Sequence, residues 1–222
     1  LKTVSINTSA TIFLSRKLKK GGKFLFLSSS EIYSGCSSGE NIESDIGTTS
    51  PDHPRSSYIE GKRSGEAIVN ILRGRGVSAV SARLALAYGP GVRPNDERVL
   101  NQFIHKGLKG SIDLLDKGLS MRTYGYIADI VIMLLNILTK NNYSTYNVGG
   151  KSIISIKDLA TKIGQQMKVD VKVPNISKSS IKGAPEFVGL NLSRIEKEFG
   201  IEKYVGIDQG LENTIQWIRN YE

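Results

Sequence analysis

The feature that most constrains this chain is Lys23-Phe-Leu-Phe-Leu-Ser28, an apolar run set between Gly21-Gly22 and a long Ser- and Gly-rich stretch. A run without polar alternation, enclosed by turn formers, fits a strand covered on both faces. Such a strand requires a helical layer on each side, and helical spacing supplies the candidates. One helix is predicted from about Thr8 to Lys20. Another is predicted from Tyr58 to about Arg75, where Ile59, Ala67, Ile68, Ile71 and Leu72 recur at helical intervals until Gly74 and Gly76. Then follow a strand over Val77 to Leu86, a helix over Glu97 to Lys109, a short strand over Ile112 to Leu115, a helix over Ile127 to Lys140 and a strand over Thr145 to Val148. This alternation predicts an α/β fold, a Rossmann-like doubly wound parallel sheet. After Gly149-Gly150 the pattern loosens into a helix from Ser155 to Met167 with Ser155 and Asp158 as a capping box, a strand from Val169 to Val173, a polar Ser/Lys segment and two short terminal helices. The expected division is 1–88 with 124–150 as the sheet domain, and 89–123 with 151–222 as a smaller substrate-binding lobe.

Composition narrows the function classes. With 39% hydrophobic and 23% charged residues, the 222-residue chain has an ordinary globular balance, neither disordered nor fibrous. The longest apolar stretch, Ile127 to Leu138, is cut by Asp129 and Asn136, so no membrane span is expected. The start shows no secretory leader pattern, and the single Cys36 cannot form an internal disulfide; a cytoplasmic compartment is expected. The net charge of +9 suits an anionic partner such as nucleic acid, a nucleotide cofactor or a phosphorylated substrate. Aromatic residues at 7%, dispersed lysines and the lack of an RNA-binding or zinc signature argue against nucleic acid. His53 and His105 stand too far apart in the sequence to suggest a metal site, and none is expected.

Four segments carry candidate chemistry. Ser28-Ser-Ser-Glu-Ile-Tyr33 sits where the first strand runs out into a long loop, and open α/β sheets bind ligands at the carboxyl ends of their strands. Tyr58-Ile-Glu-Gly-Lys62 places a phenol and an ammonium four residues apart at the start of a helix, hence on one face. A phenol is a poor base near neutrality unless a cation favours its phenolate, which Lys62 is placed to do. Ala82-Arg-Leu-Ala-Leu-Ala-Tyr-Gly-Pro90 is a strand ending in a turn, followed by Pro94-Asn-Asp-Glu-Arg-Val99. Met121-Arg-Thr-Tyr-Gly-Tyr-Ile-Ala-Asp129 puts an Arg ahead of a helix, and its planar fork suits a pyrophosphate.

In this order the four segments resemble the extended short-chain dehydrogenase/reductase superfamily, the NAD-dependent epimerases and dehydratases that rework nucleotide sugars. The resemblance covers nearly the whole chain, from Asn7 to Tyr146-Asn-Val-Gly-Gly150 and beyond. Within the superfamily the likeness is strongest to UDP-glucuronate decarboxylases, through Ser29-Ser-Glu-Ile-Tyr33, Pro54-Arg-Ser-Ser-Tyr-Ile-Glu-Gly-Lys-Arg63 and Pro94-Asn-Asp-Glu-Arg-Val99. The resemblance implies catalytic roles for Ser29, Glu31, Tyr58 and Lys62. Tyr58 would transfer the proton, Lys62 would bind the nicotinamide ribose and lower the Tyr58 pKa, Ser29 would bond the sugar 4-hydroxyl, and Glu31 would sit near C5. Arg98 would lie near cofactor and substrate, Arg122 would reach the substrate phosphates, and Ser30 would contact substrate. It implies NAD as cofactor, with NADP still open, a nucleotide-sugar substrate, and a homodimer built on the helices over Thr8 to Lys20 and Tyr58 to Arg75.

Two departures qualify the transfer. The Gly-rich phosphate loop GxxGxxG occurs nowhere in the 222 residues. The expectation is therefore a remainder of a longer protein that by itself binds NAD weakly or not at all. Leu86 stands where the family usually has an Asn before Tyr-Gly-Pro, so the substrate is open to difference from UDP-glucuronate. Dehydration normally uses adjacent Asp and Glu, and Ser30 replaces the first of them, which ranks decarboxylation first, 4-epimerisation second and 4,6-dehydration lower. A reading of another class is a non-catalytic remnant or interaction scaffold.

Overall fold

The computed structural model describes residues 1–36, 39–93, 95–175, 187 and 189–221. Pro94 and most of the polar Ser/Lys segment lie outside the described residues. In chain order the elements are α1 (Lys2–Asn7), α2 (Ser9–Ser15), β1 (Lys23–Ser29), a 3₁₀ turn (Ser30–Tyr33), β2 (Glu40–Asn41), α3 (Ser56–Gly74), β3 (Ser78–Leu84), β4 (Leu86–Tyr88) and α4 (Val99–Leu108). They continue with β5 (Ser111–Asp113), β6 (Met121–Tyr126), α5 (Ile127–Thr139), β7 (Thr145–Val148), β8 (Ser152–Ser155), α6 (Ile156–Met167), β9 (Asp170–Lys172), β10 (Gly189–Leu190), α7 (Ser193–Phe199) and α8 (Ile207–Tyr221).

The apolar run does become a strand in a parallel sheet. β1 pairs with β3 and β3 with β7, all parallel, with Phe26 opposite Ser81 and Ser81 opposite Thr145. The sheet is covered on one side by α3, through Phe26, Val69, Leu72 and Ala79. On the other side Val80, Ala82, Tyr146 and Val148 pack with Ile130, Met133 and Ile137 of α5. A side chain at Gly65 would place its Cβ 2.1 Å from the Phe26 ring, so glycine there lets α3 press directly on β1. That close packing holds the middle of α3 against the middle of β1.

A second core joins Phe103 and Ile104 of α4, Ile112 of β5, Leu159 and Ile163 of α6 and Leu211 of α8. Above it lies a small mixed sheet in which β6 pairs parallel with β4 and antiparallel with β8. The Ser155 cap of α6 is present: its hydroxyl accepts from the Asp158 N–H at 3.0 Å.

Besides the short strands β2, β8 and β10, which the sequence pattern does not signal, the elements differ from the sequence expectation at the first helix, the end of β3 and the Met121 to Tyr126 segment. The first helix begins at Lys2 and breaks at Thr8, whose hydroxyl donates to the Val4 carbonyl, while Thr11 donates to that of Asn7. Such back-bonding competes with helix propagation, and α2 ends at Ser15. The strand expected to run to Leu86 stops at Leu84, and after Ala85 the chain enters the second sheet as β4. The Met121 to Tyr126 segment, read as a lead-in to a helix, is the central strand of that second sheet.

Candidate active site

β1 delivers Ser29, buried at its carboxyl end, into the 3₁₀ turn, and the Ser29 hydroxyl accepts the Glu31 N–H at 3.2 Å. Partly buried Ser30 opens that turn. The Glu31 carboxylate is gripped by the Arg55 fork, Nε to Oε2 and Nη2 to Oε1. Arg55 immediately precedes α3, and its guanidinium carbon lies 5.5 Å from the Tyr58 ring centre. One turn on, the Lys62 ammonium lies 5.7 Å from the same ring and donates to the Leu27 carbonyl at 2.7 Å. Strand end, turn and helix start thus gather a hydroxyl, a paired carboxylate, a phenol and an ammonium.

Burial dominates the electrostatics around Tyr58. Its pKa is raised above the ordinary phenol value, chiefly by burial; a hydrogen bond with Ser29 and the charge of Arg55 pull the other way. Burial holds the Lys62 ammonium below its ordinary value. The net upward shift on Tyr58 is opposite in sign to the lowering expected of Lys62, whose ammonium is turned to a backbone carbonyl.

The second sheet contributes Arg122. Its Nη1 donates to the Met121 carbonyl at 2.7 Å, and burial lowers its pKa while the charges of Tyr124 and Glu31 raise it and Arg55 lowers it. Arg122 therefore feels the same acid that Arg55 holds. Arg98 lies on the loop before α4, donating to Asp96 and, at 3.0 Å, to the Ala87 carbonyl. This loop borders a cavity of about 800 Å³ lined by Arg93, Asn95, Asp96, Glu97 and Arg98. Leu86 opens β4 with 37% of its surface exposed.

The Arg98 hydrogen bonds hold the Asp96 carboxyl at about 2, below its ordinary 3.8. A carboxyl depressed in the folded state stabilises it above the unfolded pKa, and that contribution is lost as the pH falls from 3.8 through about 2. Asp96→Asn is accordingly expected to flatten this acid limb in unfolding curves measured against pH; an unchanged limb contradicts the pairing.

Behind the cluster lies a buried network that sequence reasoning did not identify. Arg83 of β3, 4% exposed, bonds both Glu66 oxygens, at 3.0 and 2.8 Å, and donates to the Tyr33 hydroxyl at 2.8 Å. Ser28 donates to Glu66 at 2.5 Å, and Tyr33 donates to Asn147 of β7 at 2.7 Å. The network ties residues flanking Ser29 and Glu31 to α3 and β3. Arg55 was also missed as a site residue. Its signal was its place three residues before Tyr58, inside the Pro54-Arg-Ser-Ser-Tyr motif.

Tyr58 and Lys62 thus set a hydroxyl and an ammonium near the carboxyl end of a parallel strand, donor types that a ribose diol accepts. Residues 1–149 match the NAD dependent epimerase/dehydratase family. The chain belongs to that family. The family's cofactor is NAD. UDP-glucuronic acid decarboxylase 1 of Xenopus tropicalis is 28% identical over 222 residues, covering 99% of this chain and 52% of that protein. The chain spans about half the length of several curated relatives it matches. The UDP-glucose 4-epimerase of Thermotoga maritima, solved with UDP-glucose, superposes with a TM-score of 0.86 at 24% identity, covering 98% of this chain and 71% of that one. The UDP-glucuronic acid 4-epimerase of Bacillus cereus, solved with UDP-glucuronic acid and NAD, gives 0.83 at 22% identity, covering 99% and 69%. These likenesses establish the Rossmann-like fold. Among the described residues no helix is long and apolar enough to cross a membrane, and no group of three or more His, Cys, Asp or Glu is placed to hold a metal ion.

Proposed function

We propose that these residues form the substrate half of an NAD-dependent nucleotide-sugar enzyme that oxidises sugar C4 transiently and acts most like a UDP-glucuronate decarboxylase. The observation that carries the reading is the Ser29, Glu31 and Tyr58 cluster at the β1–α3 junction, with Arg122 in its field. When bound, NAD supplies the hydride acceptor for C4. Tyr58 Oη takes the proton of the sugar 4-hydroxyl, and Ser29 Oγ orients that oxygen. Lys62 holds the ribose, Glu31 lies toward C5, Ser30 borders the sugar, and Arg98 lines the nucleotide side. A carboxylate on C5 is β to the C4 ketone and leaves as carbon dioxide, the pair of the broken bond passing to the C4 oxygen as an enolate; protonation at C5 and reversal of the C4 oxidation then give the pentose, with no acid needed to expel a hydroxyl, consistent with Ser30 in the place of a dehydratase Asp. A 4-epimerase is the second reading, supported by Ser29, Tyr58 and Lys62 alone.

The Gly-rich pyrophosphate turn is absent from the 222 residues, so the reading assigns that cradle to a further segment. The lobes follow the division at 88–89, 123–124 and 150–151. We place the enzyme in the cytoplasm as a homodimer, with the exposed Ile6 and Phe13 of the first helices and Ile71 of α3 supporting the dimer. Arg122→Ala, in protein carrying the Gly-rich segment, is expected to raise KM for the nucleotide sugar about tenfold with kcat little changed, because a charge-assisted contact to the diphosphate is lost in ground and transition states alike. Steady-state kinetics check this; a fall in kcat at constant KM contradicts the phosphate role.

A further inference from the structure

Glu31 and Arg55 meet at the surface of the site and not in its core: 23% of the Glu31 side chain and 41% of the Arg55 side chain are exposed. Both carboxylate oxygens are engaged by one planar fork. The same guanidinium lies over the Tyr58 ring, so the pair stands beside the group assigned to proton transfer. Arg55 occupies the position before α3, yet its side chain makes no capping bond there. Helix initiation therefore does not explain why an arginine is present.

Resting on the decarboxylase-like reading, we infer that Arg55 determines specificity for acidic sugars by neutralising Glu31, so that a sugar bearing its own carboxylate can bind beside that acid. Two uncompensated carboxylates within a few ångströms in a partly buried site repel strongly, and only a uronate brings the second one. A neutral hexose has nothing for Glu31 to repel. Arg55 thus acts on the ratio of affinities for uronate and hexose and leaves the shared UDP contacts alone.

The test is calorimetric titration of the protein, carrying its Gly-rich segment and saturated with NAD, with UDP-glucuronate and with UDP-glucose, the neutral sugar serving as the internal control for folding. Arg55→Leu is expected to weaken UDP-glucuronate binding about tenfold while changing UDP-glucose less than about twofold. Adding Glu31→Gln to Arg55→Leu is expected to restore most of the lost uronate affinity, and Arg55→Lys to retain most of it, since the charge remains. Equal weakening of both ligands, or a loss that Glu31→Gln does not repair, overturns the inference. If the unchanged protein binds neither ligand, the functional reading fails and takes the inference with it. If it binds both and Arg55→Leu leaves their ratio unmoved, the inference alone fails.

Discussion

Tyr58→Phe is expected to lower turnover by a factor of about 100 or more in protein carrying the cofactor segment, while substrate affinity stays nearly intact, because a positioned general base contributes roughly 10²–10⁴. Ser29 and Arg55 favour the Tyr58 phenolate against the burial that opposes it. Because the Tyr58 pKa stands above its ordinary value, the rate should climb with pH on the side where the phenol loses its proton, and Tyr58→Phe should lose that rise. Near-normal turnover in the variant would show the Tyr58 and Lys62 spacing to be coincidental.

Glu66→Ala is expected to be the most damaging single change to the fold. Arg83 would keep its buried charge and lose both carboxylate bonds, and Ser28 would lose its acceptor. Breaking a buried pair on one side costs about 3–5 kcal/mol. Denaturant unfolding measures this, and a loss below about 1 kcal/mol would mean that the network is not sealed from water. The same lesion frees the strand end and turn that carry Ser29 and Glu31, so catalytic loss should accompany the loss of stability.

The parts that sequence made legible are local. β1 is an uninterrupted apolar run between turn formers, α3 carries a helical stripe that ends at glycines, and Tyr58 and Lys62 fall on one face of that helix. β6 was hidden because Arg122 and Gly125 break its apolar pattern, and its strand character comes from pairing with β4 and β8, distant in sequence. Arg83 and Glu66 look like solvated charges when read along the chain. Only the parallel pairing of β1 with β3, with α3 packed across both, buries them against each other. Arg55 was in plain view within a recognised motif. Its partner lies twenty-four residues earlier, across the loop that the 3₁₀ turn begins.

The central claim is that the Glu31 and Tyr58 cluster serves a nucleotide sugar whose C5 carboxylate is lost after oxidation at C4. The most direct measurement is mass analysis of products after incubating the protein, together with its Gly-rich segment and NAD, with UDP-glucuronate and a panel of other nucleotide sugars. The account predicts carbon dioxide release from UDP-glucuronate, with a UDP-pentose as product. Loss of water, or a product of unchanged mass and altered retention, would contradict it in favour of dehydration or epimerisation.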